Sequence, residues 1–130
     1  QLERIIAAAA SEYPPQTLAV QGLGFFGRRE SALLYMKLAP SQTLSALSDT
    51  LRRMLVEAGE TFDTKPFVPH ITLARKADLT SANMLTPAPP VSCTVRRLTL
   101  YHSTRVRDEL RYLPAAEAGF LEDEYTKSNP

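Results

Sequence analysis

The sequence lacks tryptophan and contains one cysteine and two histidines. Because Cys93 has no second cysteine to pair with, a scaffold held by internal disulfides is excluded. No apolar run approaches the ~20 residues of a membrane-spanning helix, so no membrane partner is predicted. The 15 basic and 14 acidic residues give a net charge of +1. Any contact with nucleic acid must therefore come from a local basic patch, since no global basic field exists.

What is present is typical of a globular chain: 130 residues, 44% hydrophobic and 22% charged. This predicts a single domain over 1–130, with 121–130 as a flexible tail. The chain begins at Gln1, without methionine and inside a helical pattern, and we expect it to be N-terminally incomplete. Its opening residues do not have the pattern of a secretory signal peptide, and a cytoplasmic location is expected.

Hydrophobic spacing predicts two helices and five strands. Pro14 and Pro15 end the first helix, and Gly59 ends the second. The order is helix-strand-strand, repeated with one additional strand, which predicts an α+β fold of antiparallel sheets with outer helices. The loop 76–90 is long enough to be functional or mobile. The predicted elements are helix 1–13, strands 17–26 and 32–38, helix 41–58, and strands 67–75, 91–101 and 110–120.

The stretch 66–75 carries the chemistry. Strand alternation places His70 and Thr72 on one face, and Ile71 and Leu73 on the other as core residues. An imidazole beside a hydroxyl can transfer protons while the hydroxyl donates to an anionic oxygen. The spacing alone favours the simpler interpretation, in which His70 is a structural histidine and Thr72 follows the general preference of threonine for strands.

The longer string Pro66-Phe67-x-Pro69-His70-Ile71-Thr72-Leu73-x-Arg75 resembles the second His-x-Thr-x motif of the 2H phosphoesterases. Within them it is most similar to the LigT-like RNA 2′,3′-cyclic phosphodiesterases, also called 2′-5′ RNA ligases. Three further stretches resemble this family in the same order: 18–26, 98–103 and the sequence around Tyr112. The resemblance therefore extends over about residues 17–120.

The resemblance implies a bilobal fold and a phosphoesterase that needs neither metal nor cofactor. In such enzymes two histidines face each other across a groove, one activating water and the other protonating the leaving oxygen. Carried onto this chain, His70 is one catalytic histidine, and Thr72 is catalytic through its hold on the phosphate. Arg75 is expected to bind the phosphate too, although strand parity places it opposite His70, so the strand must end or twist before it. The residues expected to line the groove are Phe67, Tyr101 and His102.

The chain departs from the family in one respect. The family's first His-x-Thr-x motif would precede the helix with which this chain opens, yet no histidine precedes His70. The string Tyr101-His102-Ser103-Thr104 has the letters of such a motif, but it matches a strand end where histidine is not catalytic in the family. We therefore expect either a fragment without its first strands or a member that lost half the site. By itself this chain is expected to be inactive or weakly active.

The implied function is the opening of an RNA 2′,3′-cyclic phosphate to a 2′-phosphomonoester, with 2′-5′ ligation in reverse. RNA ends or cyclic nucleotides would be the substrates. Two alternatives remain: a non-catalytic module that binds nucleotide or RNA phosphates, and a partner-binding domain. One cysteine and two histidines offer no metal-ligand spacing, and Cys93 is expected to be a buried, inert thiol. A basic edge able to contact RNA would comprise Arg96, Arg97, Arg105, Arg107 and Arg111.

Overall fold

The computed structural model describes residues 1–81 and 91–121. Their paired strands are antiparallel, as predicted, and the α+β fold class is confirmed. The chain divides into two compact units, which are described separately below. The elements are α1 (Leu2–Ala10), β1 (Gln16–Arg28), β2 (Ser31–Leu38), α2 (Gln42–Glu57), β3 (His70–Ala77), β4 (Ser92–Val95), β5 (Arg97–Val106) and β6 (Glu109–Gly119).

The four-stranded unit comprises Thr17–Ser41 and Pro66–Thr94, with strand order β3-β2-β1-β4. The predicted hairpin of β1 and β2 is present, closed by two residues between the paired Arg28 and Ser31. The backbone N–H of Leu79 donates to the carbonyl of Arg29 over 2.6 Å. This bond ties the segment after β3 to the hairpin turn, which fixes the far end of β3 against β1 and β2.

The helical unit comprises Gln1–Gln16, Gln42–Lys65 and the chain from Val95 onward. Its α1 packs against α2 and against the β5–β6 hairpin. The small side chains of α1 at this contact allow the elements to approach closely, and α2 contributes the stripe predicted from its leucine spacing. The buried core of this unit consists of Ala9, Ala10, Leu47 and Phe120. Tyr13 packs against this core, and its hydroxyl is hydrogen-bonded to Thr50 Oγ1 at 2.6 Å.

Some sequence predictions were wrong at the ends of elements. The strand predicted from Phe67 begins at His70, because Pro69 has no N–H to donate to a ladder. The strand predicted over 91–101 is interrupted at Arg96, giving β4 and β5. Cys93 is exposed rather than buried, since β4 is a four-residue strand at the edge of its sheet. The predicted tail from 122 and most of the proline-containing loop lie outside the described residues.

Candidate active site on the face of the four-stranded sheet

The site begins where β3 pairs with β2. His70 lies opposite Lys37, and Thr72 lies opposite Tyr35. Directly opposed residues of antiparallel strands project to the same side of the sheet, with Cβ atoms about 5 Å apart. These four side chains therefore share one surface, which we call the His70 face. As the sequence alternation predicted, Ile71 projects to the other side. The prediction of Leu73 as a core residue was wrong, since Leu73 is 49% exposed.

His70 is exposed at the first residue of β3, and one of its ring nitrogens is engaged in a hydrogen bond to the backbone. Nδ1 lies 2.6 Å from the carbonyl oxygen of Val68. A carbonyl only accepts hydrogen bonds, so Nδ1 carries the proton and donates. In the neutral ring this leaves Nε2 with a lone pair, free to accept a proton. Val68 precedes the strand, where its carbonyl is available for this contact. The local backbone thus orients His70 as a proton acceptor.

Aromatic rings support His70 on the same face. The rings of Phe26 and Tyr35 are stacked with centroids 4.4 Å apart, and each lies 5.3 Å from the imidazole in an edge-on arrangement. Tyr35 is 7% exposed and lies across Gly24, where a Cβ would come within 2.7 Å of its ring. The missing side chain of Gly24 therefore makes room for Tyr35. Tyr35 and Phe26 in turn fix the direction of the imidazole.

The register of β3 changes after Thr72. Tyr35 pairs with Thr72, but the next residue of β2, Leu34, pairs with Ala74. One additional residue on β3, Leu73, is thus accommodated as a bulge. A second register change follows between the pairs Leu34–Ala74 and Ala32–Ala77. Arg75 lies within this second irregularity, so simple alternation does not assign it to either face of the sheet.

The three residues predicted to line a groove have different surroundings. Phe67 is exposed in the irregular segment before β3. Tyr101 and His102 are consecutive residues of β5 in the helical unit, so they project to opposite faces of that hairpin. His102 shares its face with Leu98, which packs against the buried cluster. His102 is nevertheless exposed, and so is Tyr101, at 55%. Only one of the two can face a groove on this hairpin.

Sequence reasoning missed three neighbours of His70: Phe26, Tyr35 and Lys37. A partial signal was available, because a two-residue turn in the β1–β2 hairpin pairs Gly24 with Tyr35 and Gly22 with Lys37. The pairing of β2 with β3 had no such signal, since a helix and a long segment separate these strands in the chain.

Two further observations concern the described ranges 1–81 and 91–121. They contain no group of three or more histidine, cysteine, aspartate or glutamate side chains placed to hold a metal ion. Neither of their two helices has the length and apolar character needed to cross a membrane.

Solved structures define the class to which this fold belongs. A structure described as a phosphoesterase superposes with a TM-score of 0.68 at 30% sequence identity, covering 92% of this chain and 69% of that chain. Escherichia coli LigT complexed with 3′-AMP superposes with a TM-score of 0.67 at 27% identity, with the same coverage. The fold is that of the LigT-like phosphoesterases.

Sequence comparison identifies the family. The sequence model of the 2′-5′ RNA ligase superfamily matches residues 1–107, and the chain belongs to this superfamily. The RNA 2′,3′-cyclic phosphodiesterase of Geobacillus stearothermophilus is 40% identical over 75 residues, which are 55% of this chain and 23% of that protein. The protein of the same name from Bacillus subtilis strain 168 is 32% identical over 77 residues, 58% of this chain and 42% of that protein. The chain matches less than half the length of each of these relatives.

Proposed function

We propose that the protein to which this chain belongs is a metal-independent RNA 2′,3′-cyclic phosphodiesterase, with His70 as a catalytic acid or base. The proposal rests above all on one observation: His70 is exposed and donates through Nδ1 to a backbone carbonyl, which leaves Nε2 able to exchange a proton. The names of the two curated relatives support the same reaction. The RNA 2′,3′-cyclic phosphate in those names supports RNA ends, or small cyclic nucleotides, as the substrate of this protein.

In the proposed reaction His70 Nε2 removes a proton from a water molecule. The water oxygen forms a bond to phosphorus, and the bond between phosphorus and the ribose O3′ breaks. The O3′ atom leaves with the electron pair of that bond and takes a proton from a second acid, so the product is a 2′-phosphomonoester with a free 3′-hydroxyl. If a ribose 5′-hydroxyl attacks phosphorus in place of water, the same cleavage of the bond to O3′ gives a 2′-5′ phosphodiester, which is the ligation reaction. Positioned acid–base groups contribute about 10²–10⁴-fold each to such a rate.

Thr72 and Arg75 are proposed to hold the phosphate. Thr72 lies two residues from His70 on the same face, so its hydroxyl can donate to a phosphate oxygen as charge accumulates there. Arg75 lies three residues beyond Thr72 on the same strand, where two register changes interrupt simple alternation, and a guanidinium can bind two phosphate oxygens at once. Loss of Arg75 is therefore expected to weaken phosphate binding.

The acid that protonates O3′ remains a prediction from the family resemblance, which assigns it to the histidine of a first His-x-Thr-x motif. His102 is a poor candidate because it shares a face with the apolar Leu98 and has no recorded hydrogen bond in the described part of the chain. The cytoplasmic location predicted from the sequence likewise remains a prediction.

Hydrolysis of a nucleoside 2′,3′-cyclic phosphate by the full-length protein tests this proposal. We expect a 2′-phosphomonoester, identified by its ³¹P resonance, at a rate that excess EDTA does not reduce. Loss of the rate with EDTA would contradict the metal-independent mechanism. Binding of the nucleotide without turnover would instead favour the non-catalytic phosphate-binding module.

A further inference from the structure

Lys37 is a cation on the His70 face for which the proposed chemistry gives no role. It is paired directly with His70 across β2 and β3 and is exposed. Within residues 1–81 and 91–121 its side chain has no hydrogen bond or ion pair, so its charge is available to a ligand.

The charge distribution around Lys37 favours an anion. The four-stranded unit has five basic residues and two acidic ones. Both acids, Glu30 and Asp78, lie at the turn end of the sheet, about 20 Å from Lys37 at the strand rise of ~3.4 Å per residue. The hydroxyl and backbone N–H of Thr80 both donate to Asp78, and these bonds lower the pKa of its carboxyl. No carboxylate therefore competes for Lys37 at its own end of the sheet.

Lys37 lies at the end of the His70 face that is farther from Thr72. Thr72 follows His70 along β3, and the imidazole lies against the rings of Tyr35 and Phe26. Both rings are on the Thr72 side of Lys37 in the strand register. A phosphate held by both His70 and Thr72 would therefore lie toward Thr72, and Lys37 is at the opposite end of this register.

There is also room beside Lys37. Its partner on β1 is Gly22, where an added Cβ would meet no atom within 4 Å. The register of β1 shifts between Val20 and Gly22, and Gly22 has φ 139°. Non-glycine residues rarely adopt this backbone conformation, so the bulge favours a residue without a side chain. The absence of a side chain at Gly22 therefore leaves open space next to Lys37.

We infer that Lys37 binds a phosphate of the RNA strand adjacent to the reacting cyclic phosphate, so that the site prefers an oligonucleotide end over a mononucleoside cyclic phosphate. This inference rests on the proposed function for the identity of the reacting group. A contact to a non-reacting phosphate stabilises the bound substrate and the transition state equally. It therefore lowers KM and leaves kcat unchanged.

The test compares Lys37→Met with the wild-type full-length protein on two substrates, a dinucleotide and a mononucleoside that both end in a 2′,3′-cyclic phosphate. We expect the variant to lose about tenfold in preference for the dinucleotide, the scale of one charge-assisted hydrogen bond, through KM. Lys37→Arg should retain the preference. Arg28→Met, which removes one cation at the turn end of the same sheet, should leave it unchanged.

Two outcomes would overturn the inference: an unchanged preference in Lys37→Met, or an equal fall in kcat on both substrates, which would assign Lys37 to the reacting phosphate. A binding measurement separates this result from failure of the proposed function. The reaction products, a dinucleotide and a nucleoside each ending in a 2′-phosphate, are titrated by calorimetry. If the protein hydrolyses neither substrate, the ratio of these two affinities in wild type and Lys37→Met still decides the role of Lys37.

Discussion

The two histidines of the chain occupy different units and have different neighbours, although both stand in a His-x-Thr string. His70 donates to the carbonyl of Val68 and lies against two aromatic rings. His102 has neither a hydrogen bond nor a ring contact in the described part of the chain, and lies inside β5 on the face of Leu98. The comparison teaches that His-x-Thr spacing is not sufficient to identify a catalytic histidine. The proposed catalytic histidine differs from the other in two respects: a backbone carbonyl fixes its tautomer, and aromatic rings from adjacent strands contact it.

Replacing each histidine by alanine is the strongest way to break this comparison. In the full-length protein we expect His70→Ala to lower kcat/KM for a 2′,3′-cyclic phosphate by about 10²–10⁴-fold, because an acid–base group is lost. His102→Ala should remain within about threefold of wild type, as expected for a residue that makes no contact with substrate. Steady-state kinetics of both variants measure the difference.

A full rate in His70→Ala would remove the acid–base role. An equal loss in both variants would show that the two histidines act together, and the surroundings of His102 would then have been misjudged. Circular dichroism of each variant separates loss of chemistry from loss of fold.

Much of the arrangement around His70 could be predicted from local sequence. Strand alternation puts His70 and Thr72 on one face, and the β1–β2 hairpin is bounded by clear turn residues. The face of Arg75 could not be assigned, because two register changes interrupt the alternation of β3 around it and nothing in the sequence near Leu73 specifies them. The partners across β2 could not be assigned either, since non-local register depends on the whole sheet.

Predictions of burial show the same limit, both for α2 in the helical unit and for β4 in the four-stranded unit. The sequence predicted the second helix and the position of Gly59 after it, where φ is 76°. The exposure of Cys93 was missed because alternation predicts which side chains share a face, but not whether that face is covered. Cover depends on the neighbouring element, and β4 is at an edge of its sheet.

Two glycines offer a second comparison between the units, with a smaller expected effect. An added Cβ at Gly24 would come within 2.7 Å of the Tyr35 ring, whereas at Gly119 it would come no closer than 3.9 Å, to the carbonyl oxygen of Arg96. We expect Gly24→Ala to destabilise the protein by about 1–3 kcal/mol, the usual cost of overpacking. It should also lower kcat, because Tyr35 supports the imidazole. Thermal unfolding and cyclic-phosphate kinetics measure both effects.

Gly119→Ala is the matched control, and it should change neither property appreciably. The double substitution of Gly24→Ala with a smaller residue at Tyr35 should recover stability but not the rate, since the ring that orients His70 is then missing. If Gly24→Ala were as well tolerated as Gly119→Ala, the close approach of Tyr35 to β1 would be wrong. The aromatic support of His70 would then need another explanation.

The smallest effect is expected in the helical unit, where the hydrogen bond between Tyr13 and Thr50 can be removed by Tyr13→Phe. The bond is partly buried, so its loss should cost about 1 kcal/mol of unfolding free energy. Tyr101→Phe, which removes an exposed hydroxyl with no recorded partner in the described residues, should cost nothing measurable. Denaturant unfolding of Tyr13→Phe, Thr50→Val and their double substitution gives a double-mutant cycle, which isolates the free energy of the Tyr13–Thr50 hydrogen bond. Tyr101→Phe is measured in the same way as the control.

Because this bond lies in the unit without the proposed catalytic histidine, kcat on a cyclic phosphate should not change in Tyr13→Phe. A fall in kcat at unchanged stability would mean that the helical unit contributes to the chemistry as well as to the fold.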